Sequence, residues 1–409
     1  MNPKVNVNDY EPVVGKSYIE ELTMLANRLS GKTILNINST FVGGGVAEIL
    51  SRLVPLFNQL GVDVRWQIIS GDAQFFKVTK KLHNALHGRA ETISDDEFDL
   101  FMETTERNLN QIDFAGDILF IHDPQPAALI TKKSDIGKNW IWRCHIDISQ
   151  PDDRVWKSVR QFVIKYDAAV FSSPNFAQVL PIRQFFAPPS IDPLSAKNKV
   201  LSAEAVDAVL AKYDLDSDKP MILQVSRFDR LKDPLGVIRA FELVRKNFVC
   251  QLVLAGGTAS DDPESDEVLE EVKERAAGNP DIRILDIPPE SDVDINALQR
   301  AATIIMQKSL REGFALTITE ALWKAKPVVA SAVGGIPLQV RNKLTGLLCH
   351  SIEGAAYALR QILANPDYGR WLGHNGREHI RQHFLITREI RDYLLIFVTL
   401  GRREDVISL

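Results

Sequence analysis

The chain has 409 residues, of which 45% are hydrophobic and 25% charged, and a formal net charge of −5. The length exceeds one ordinary hydrophobic core and sets an expectation of two domains; the charge gives no global electrostatic reason to bind nucleic acid or an anionic membrane. Cys144, Cys250 and Cys349 are odd in number and far apart, and the first thirty residues and the rest of the chain hold neither a signal-type segment nor an eighteen-residue apolar run, which argues against a disulfide framework and a zinc site and sets a cytoplasmic, membrane-free expectation.

In chain order, strands are expected at 33–38, 62–69, 117–121, 140–143 and 168–171, then at 221–225, 251–255, 282–285, 304–307, 328–330 and 346–349, each a short β-rich apolar run. Helical spacing of apolar residues occupies intervening segments such as 46–60, 233–246 and 266–277, and Ser94 with Glu97 reads as a capping box. This alternation is the pattern of α/β domains with parallel, doubly wound sheets. It breaks once, at Ala187-Pro188-Pro189-Ser190-Ile191-Asp192-Pro193 and the polar 197–202, which reads as an interdomain linker. The expected division is two Rossmann-like domains, 1–190 and 191–384, facing across a cleft, with a C-terminal helix over about 385–409 packing back on the first.

Ligands of doubly wound sheets bind beyond the carboxyl ends of the strands, so strand-end motifs are the candidates. After the first strand, Thr40-Phe41-Val42-Gly43-Gly44-Gly45-Val46-Ala47-Glu48 places three glycines ahead of a helix start, a seat for a phosphate or a sugar hydroxyl. The spacing is not that of a dinucleotide fingerprint. His122-Asp123-Pro124-Gln125-Pro126 ends one strand and Trp142-Arg143-Cys144-His145-Ile146-Asp147 the next. Histidine binds a sugar hydroxyl as donor or acceptor, and neither cluster has metal-ligand spacing. In the second half, Ser226-Arg227-Phe228-Asp229-Arg230-Leu231-Lys232-Asp233 sets two cations, Arg227 and Lys232, ahead of a helix, as a diphosphate leaving group requires. Further on, Glu312 stands on a loop and Glu320 about two turns into a helix, with Gly313, Phe314, Ala315, Leu316 and Thr317 between them as a second anion seat. Carboxylates that far apart suit two hydroxyl sets, such as a sugar and a ribose. Ala332-Val333-Gly334-Gly335-Ile336-Pro337 is by itself only a turn.

Arg227 and Lys232, with four residues between them, followed by Glu312 and Glu320, with seven between, resemble the donor-site signature of the family-four retaining glycosyltransferases, and the likeness runs through nearly the whole chain. The resemblance implies the GT-B fold. It also implies roles: Arg227 and Lys232 on the donor diphosphate, Glu312 on donor-sugar hydroxyls, Glu320 on the ribose, and His145 near the donor sugar and reacting centre. Arg227, Lys232, Glu312 and His145 are thus the catalytic candidates. Gly44 and Gly45 would lie against the phosphates or the acceptor, and Ala315 stands where the family has glycine. Within the family, 122–126, 142–147 and 223–229 resemble the trehalose-forming synthases and the retaining trehalose phosphorylases. That likeness implies transfer of glucose from a nucleoside-diphosphate glucose to free glucose, with His122, Asp123, Gln125 and Asp147 toward the acceptor.

The expected chemistry is a front-face displacement with retention, although Asp123 and Asp147 stay open as nucleophiles of a double displacement. The pattern demands no cofactor; Mg2+ could enter with the donor diphosphate. Rival readings are a phosphorylase or epimerase, a retaining transferase with another acceptor, and a non-catalytic nucleotide-sugar sensor. The oligomeric state stays open, a homodimer included.

Overall fold

A computed structural model describes residues 5–41, 45–257, 263–288 and 290–400. The chain divides into two units, one of Met1–Pro189 with Ile386–Leu409 and one of Ser190–Leu385. Both are α/β with parallel sheets, as the alternation of strand and helix patterns implies.

The sheet of the first unit comprises β1 (Thr33–Asn38), β2 (Asp63–Ile68), β3 (Ile118–His122), β4 (Asn139–Cys144), β5 (Ala168–Phe171) and β6 (Arg183–Phe186), in the order β2-β1-β3-β4-β5-β6. Its inner strands β1, β3, β4 and β5 are buried on both faces, which is why they read as continuous apolar runs. Trp140, Trp142 and Phe171 fill one side, against the helices Ala73–Leu86, Asp95–Gln111 and Asp153–Val163. The capping box of Ser94 and Glu97 is formed in both directions at the start of Asp95–Gln111. On the other side lies the C-terminal helix Ile386–Leu400: Tyr393 and Phe397 meet the ring of Phe120 edge-on at 5.2 and 5.4 Å. Arg143, fully buried on β4, ties that helix to the strand ends. It donates to Tyr393 Oη at 3.1 Å and to the carbonyls of Cys144, Val170 and Ala187 at 3.2, 3.3 and 2.7 Å. A buried guanidinium with its donors satisfied in this way is a structural anchor.

The second sheet comprises β7 (Met221–Val225), β8 (Gln251–Gly256), β9 (Ile282–Asp286), β10 (Ile304–Gln307), β11 (Val328–Ser331) and β12 (Leu347–Cys349), in the order β12-β11-β10-β7-β8-β9. Counted within the unit this is the 3-2-1-4-5-6 order of dinucleotide-binding sheets, read from the other edge. The strand order reverses between β7 and β10 here, and between β1 and β3 in the first unit. A doubly wound sheet opens its ligand crevice at that point, so the loops after these four strands are the places to search.

Two expectations need correction. β6 was not anticipated: Arg183-Gln184-Phe185-Phe186 is an edge strand whose ends are exposed, and half-polar edge strands lack the apolar run that marks a buried one. The polar segment 197–202 falls inside the second unit rather than between the two. Asn198 is buried in the second unit, accepting from Lys324 Nζ at 3.0 Å and donating to the Asp192 carbonyl at 3.0 Å, while Arg300 holds the carbonyls of Asn198 and Lys199 at 3.1 and 2.9 Å. Among the described residues, no helix is long and apolar enough to cross a membrane.

Candidate active site

The loops after β7 and β10 are stitched together by polar contacts. Leu310 N–H donates to the Leu231 carbonyl at 2.7 Å, and Gln224 Nε2 to the Lys232 carbonyl at 3.2 Å. Lys308, buried just past β10, pairs with Asp233. Asp233 sits in the left-handed region, with φ 48°, and its other carboxylate oxygen caps the helix Pro234–Arg245 through Gly236 N–H at 3.0 Å. These contacts fix the backbone on either side of Lys232.

The cations expected on a diphosphate already have counter-charges. Lys232 Nζ lies 2.6 Å from Glu312 Oε2, in a pair whose side chains are only 20% and 9% exposed. Ser309 Oγ donates to the same carboxylate oxygen at 3.0 Å and is itself held by Gln307 Nε2 at 3.0 Å. Arg227 is open to solvent, with Asp229 at 3.8 Å. Lys232 and Glu312 are thus one preassembled element rather than two independent groups.

Glu312 leads into a run of backbone donors. Among the described residues, none accepts a hydrogen bond from the N–H groups of Gly313, Phe314, Ala315, Leu316 or Thr317. Consecutive unpaired N–H groups at a helix start form an anion seat. Ala315 adopts φ 70° to make this turn, a conformation that costs a residue with a Cβ about 1–2 kcal/mol and a glycine nothing. The helix is Leu316–Trp323, so Glu320 lies about one turn in, not two. It is buried and accepts from Gln299 Nε2 at 3.4 Å. Gln299 also accepts from Lys324 Nζ at 2.8 Å, and burial holds that amine below the usual lysine range.

The glycine turn at Ala332–Pro337 proves to be the buttress of this loop. A Cβ on Gly334 would stand 1.6 Å from the Glu312 carbonyl oxygen, and Gly335 donates its N–H to the Gly313 carbonyl at 3.1 Å. Gly256, at the end of β8, gives the same clearance on the other side, where a Cβ would meet the Ser226 carbonyl oxygen at 1.8 Å.

In the first unit, β3 ends at His122 and the chain turns sharply at Asp123, with φ 66°. The turn is held by Asp123 N–H on the Arg143 carbonyl at 2.7 Å and by Trp142 Nε1–H on the Asp123 carbonyl at 2.9 Å. Asp123 Oδ1 accepts the backbone N–H of His145 at 2.8 Å, which joins the ends of β3 and β4. His122 is buried and both ring nitrogens are engaged: Nδ1 with His145 Nε2 and Nε2 with Asn36 Oδ1, each at 3.0 Å. The structure therefore moves His122 from acceptor contact to a support beneath His145. His145 is half-buried, at the strand end. Gln125 Oε1 is buried without a partner, an acceptor that a ligand hydroxyl would satisfy. Asp147 Oδ1 accepts from Ser149 N–H at 2.9 Å, an Asx turn. Gly44 lies outside the described residues; Gly45 opens the helix Gly45–Gln59 with nothing within 4 Å of an added Cβ.

Burial pushes the Asp123 carboxyl up to about 6, against the pull of the His145 N–H and the Arg143 guanidinium. A raised carboxyl value means that ionisation weighs against folding. The cost is absent below the unfolded value of 3.8, grows as pH rises, and is complete above about 6. Asp123→Asn keeps an acceptor oxygen for His145 and removes that cost. Urea unfolding is expected to show the variant more stable than the parent at pH 7.5, by on the order of 1–2 kcal/mol, and no more stable near pH 3.5.

Residues of the site to which the sequence pattern gave no role are Asn36, Gln224, Asp233, Gln299, Lys308 and Ser309. Two carried a signal: Asn36 and Gln224 are amides inside largely apolar strands, where Asn is disfavoured and a buried amide needs partners. Among the described residues no group of three or more His, Cys, Asp or Glu is placed to hold a metal ion.

The chain is similar to known proteins along nearly its whole length. A family model described as "Trehalose synthase, N-terminal domain" matches residues 36–178, and one described as "Glycosyl transferases group 1" matches residues 206–379. The chain is 41% identical over 401 residues to a trehalose synthase of Rubrobacter xylanophilus, covering 96% of each chain. It is 40% identical over 394 residues to a trehalose synthase of Thermococcus litoralis, covering 95% of each. Among solved structures, an α,α-trehalose-phosphate synthase from Burkholderia xenovorans in complex with glucose-6-phosphate matches with TM-score 0.72 at 15% identity, over 90% of this chain and 100% of that one. At that identity the likeness speaks for the fold.

Proposed function

The chain belongs to the trehalose synthase family of group 1 glycosyltransferases, and on that premise we propose that it transfers glucose from a nucleoside-diphosphate glucose to free glucose, with retention, to form α,α-trehalose. The observation that carries the choice of substrates is the contrast in charge between the two sheets' strand-end segments. In the second unit Arg227, Arg230 and Lys232 follow β7 with Asp229 and Asp233 among them, and Lys308 and Arg311 follow β10 with Glu312, so cations outnumber acids on the loops that flank the reversal point of the strand order. That is an edge for a diphosphate. In the first unit the segments 39–45, 69–72, 123–131, 145–152 and 172–182 contain no Lys or Arg, while Asp72, Asp123, Asp147 and Asp152 lie among them. Such an edge suits an uncharged polyol and disfavours a sugar phosphate, whose charge would meet carboxylates and no cation.

The donor's C1–O bond to phosphate breaks as the acceptor's anomeric oxygen bonds to C1 on the same face. The departing phosphate oxygen takes the acceptor's proton. Lys232 and Arg227 stabilise the charge gathering on the diphosphate, the N–H groups of 313–317 add fixed dipoles, and Glu312 holds sugar hydroxyls. Glu320 takes the ribose. The scheme needs no metal ligand from the protein; Mg2+ would enter with the donor diphosphate.

The test is product analysis with a panel of nucleoside-diphosphate glucoses, offering glucose or glucose 6-phosphate as acceptor. A non-reducing disaccharide cleaved by trehalase, formed from glucose in preference to its 6-phosphate, is expected. Preference for the phosphorylated sugar, or a reducing product, would reject the assignment of the acceptor. Release of glucose 1-phosphate from trehalose and inorganic phosphate, with no nucleotide requirement, would reject the donor.

A further inference from the structure

We propose that Asn36 is a positioning residue that acts through His122 to fix the tautomer of His145, so that His145 offers a substrate hydroxyl the bare lone pair of Nδ1 and not an N–H. This rests on the reading above, in which the strand-end edge carrying His145 handles a sugar.

The argument follows the protons along one row of side chains. Asn36, on β1, is 4% exposed, and its Nδ2 donates to the Arg65 carbonyl at 3.3 Å. A flipped amide would set two oxygens against each other there, so the orientation is fixed and Oδ1 faces His122. Oδ1 can only accept. His122 Nε2, 3.0 Å away, must therefore carry the proton. Burial and the neighbouring Arg143 guanidinium push His122 down to about 3, so the ring is neutral and its Nδ1 is bare. His145 Nε2 stands 3.0 Å from that Nδ1. Two bare nitrogens at this distance would repel, so His145 Nε2 holds the proton and donates it. His145 is also held below the usual histidine range, by burial, Arg143 and His122 in that order. A neutral ring protonated at Nε2 has its lone pair at Nδ1. No described residue hydrogen-bonds to that atom.

The charged and titratable groups around this row are few. Arg143 comes from β4 and Asp123 from the turn after β3, and Tyr393 and Glu389 of the helix Ile386–Leu400 reach it through Arg143, with Tyr393 Oη donating to Glu389 at 3.0 Å. None of them bonds to a ring nitrogen of His122 or His145. The tautomer is set by the amide alone.

Asn36→Asp tests this with almost no change of shape. The unprotonated carboxylate still accepts from His122 Nε2–H, and His145 keeps its tautomer. One added proton reverses the row when it settles on His122 or between it and the carboxylate; on the oxygen that faces the Arg65 carbonyl it leaves the row unchanged. A protonated carboxyl donating to His122 Nε2, or a doubly protonated His122, leaves His122 Nδ1–H donating to His145, whose own proton must move to Nδ1. A buried carboxylate beside His122 raises the pH at which that proton binds. We expect kcat/KM of Asn36→Asp, with glucose and the preferred nucleoside-diphosphate glucose, to approach the parent at pH 9. It should fall below the parent by about ten- to a hundredfold at pH 6, the range for one lost hydrogen bond to substrate. Asn36→Leu, with no acceptor at all, should lose activity at every pH. Histidine-labelled protein examined by nitrogen NMR without substrate should show both His122 and His145 protonated at Nε2, the signals assigned with His122 and His145 variants. His145 protonated at Nδ1 in the parent overturns the proposal, and so does parental kcat/KM in a folded Asn36→Leu protein. Should both variants misfold, the parent's spectrum alone decides. Should no donor and acceptor pair support transfer, the functional reading fails while the spectrum still reads the tautomer.

Discussion

Lys232→Ala is expected to lower kcat by about 10²–10³-fold, the cost of removing one fixed donor from developing charge in a water-poor site. The structure adds a second effect that spacing alone did not suggest. Lys232 Nζ pairs at 2.6 Å with Glu312, whose side chain is only 9% exposed. Deleting the lysine leaves that carboxylate with Ser309 Oγ at 3.0 Å and no cation in its pair, and removing one partner of a largely buried pair destabilises by up to about 3 kcal/mol once the lysine's partial exposure is allowed for. The two effects separate in the double variant. Lys232→Ala with Glu312→Gln should recover much of the lost stability in thermal unfolding, because a neutral amide tolerates burial, and it should stay as slow as Lys232→Ala or slower. Near-parental turnover by a folded Lys232→Ala protein would remove this residue from the chemistry. Recovery of turnover in the double variant would mean that the lysine serves only to neutralise Glu312.

How far the sequence carried the architecture depended on burial. Strands hidden on both faces, such as β1, β5, β7 and β10, have the bounds that apolar runs imply. β6 escaped because Arg183 and Phe186 at its ends face solvent. The segment 197–202 misled for the opposite reason: polar composition says that a residue needs hydrogen bonds, and Asn198 finds them inside the protein rather than in water. For the site, the Arg, Lys and Glu spacing located the loops after β7 and β10, since the chain reaches both from adjacent strands. It was silent on neutralisation. Whether Lys232 waits with an open charge or rests on Glu312 depends on a contact across 80 residues, which local pattern does not encode. His122 is the sharpest case. As a polar residue at a strand end it reads as a ligand contact. Only the hydrogen bonds to Asn36 and His145, from other strands, show that its nitrogens are already committed.

Gly334→Ala is expected to reduce kcat/KM by about 10²-fold although residue 334 is not assigned to substrate. Its backbone has φ +54°, and a Cβ there would stand 1.6 Å from the Glu312 carbonyl oxygen. Ordinary contact needs more than 3 Å, so the loop must retreat by over an ångström. Rigid backbone contacts on both sides, Gly335 N–H on the Gly313 carbonyl and Leu310 N–H on the Leu231 carbonyl, leave it no small adjustment. A displacement of that size at a positioned group costs about a hundredfold in rate. Part of any loss of stability would come from the left-handed backbone alone, about 1–2 kcal/mol for a residue with a Cβ. Gly278→Ala isolates that part, because Gly278 has φ +77° and nothing within 4 Å of an added Cβ. Gly278→Ala should lower the melting temperature and leave kcat/KM at the parental value, while Gly334→Ala should lower both. Equal activities in the two variants would show that the loop absorbs the clash, and that the position of Glu312 does not limit the reaction.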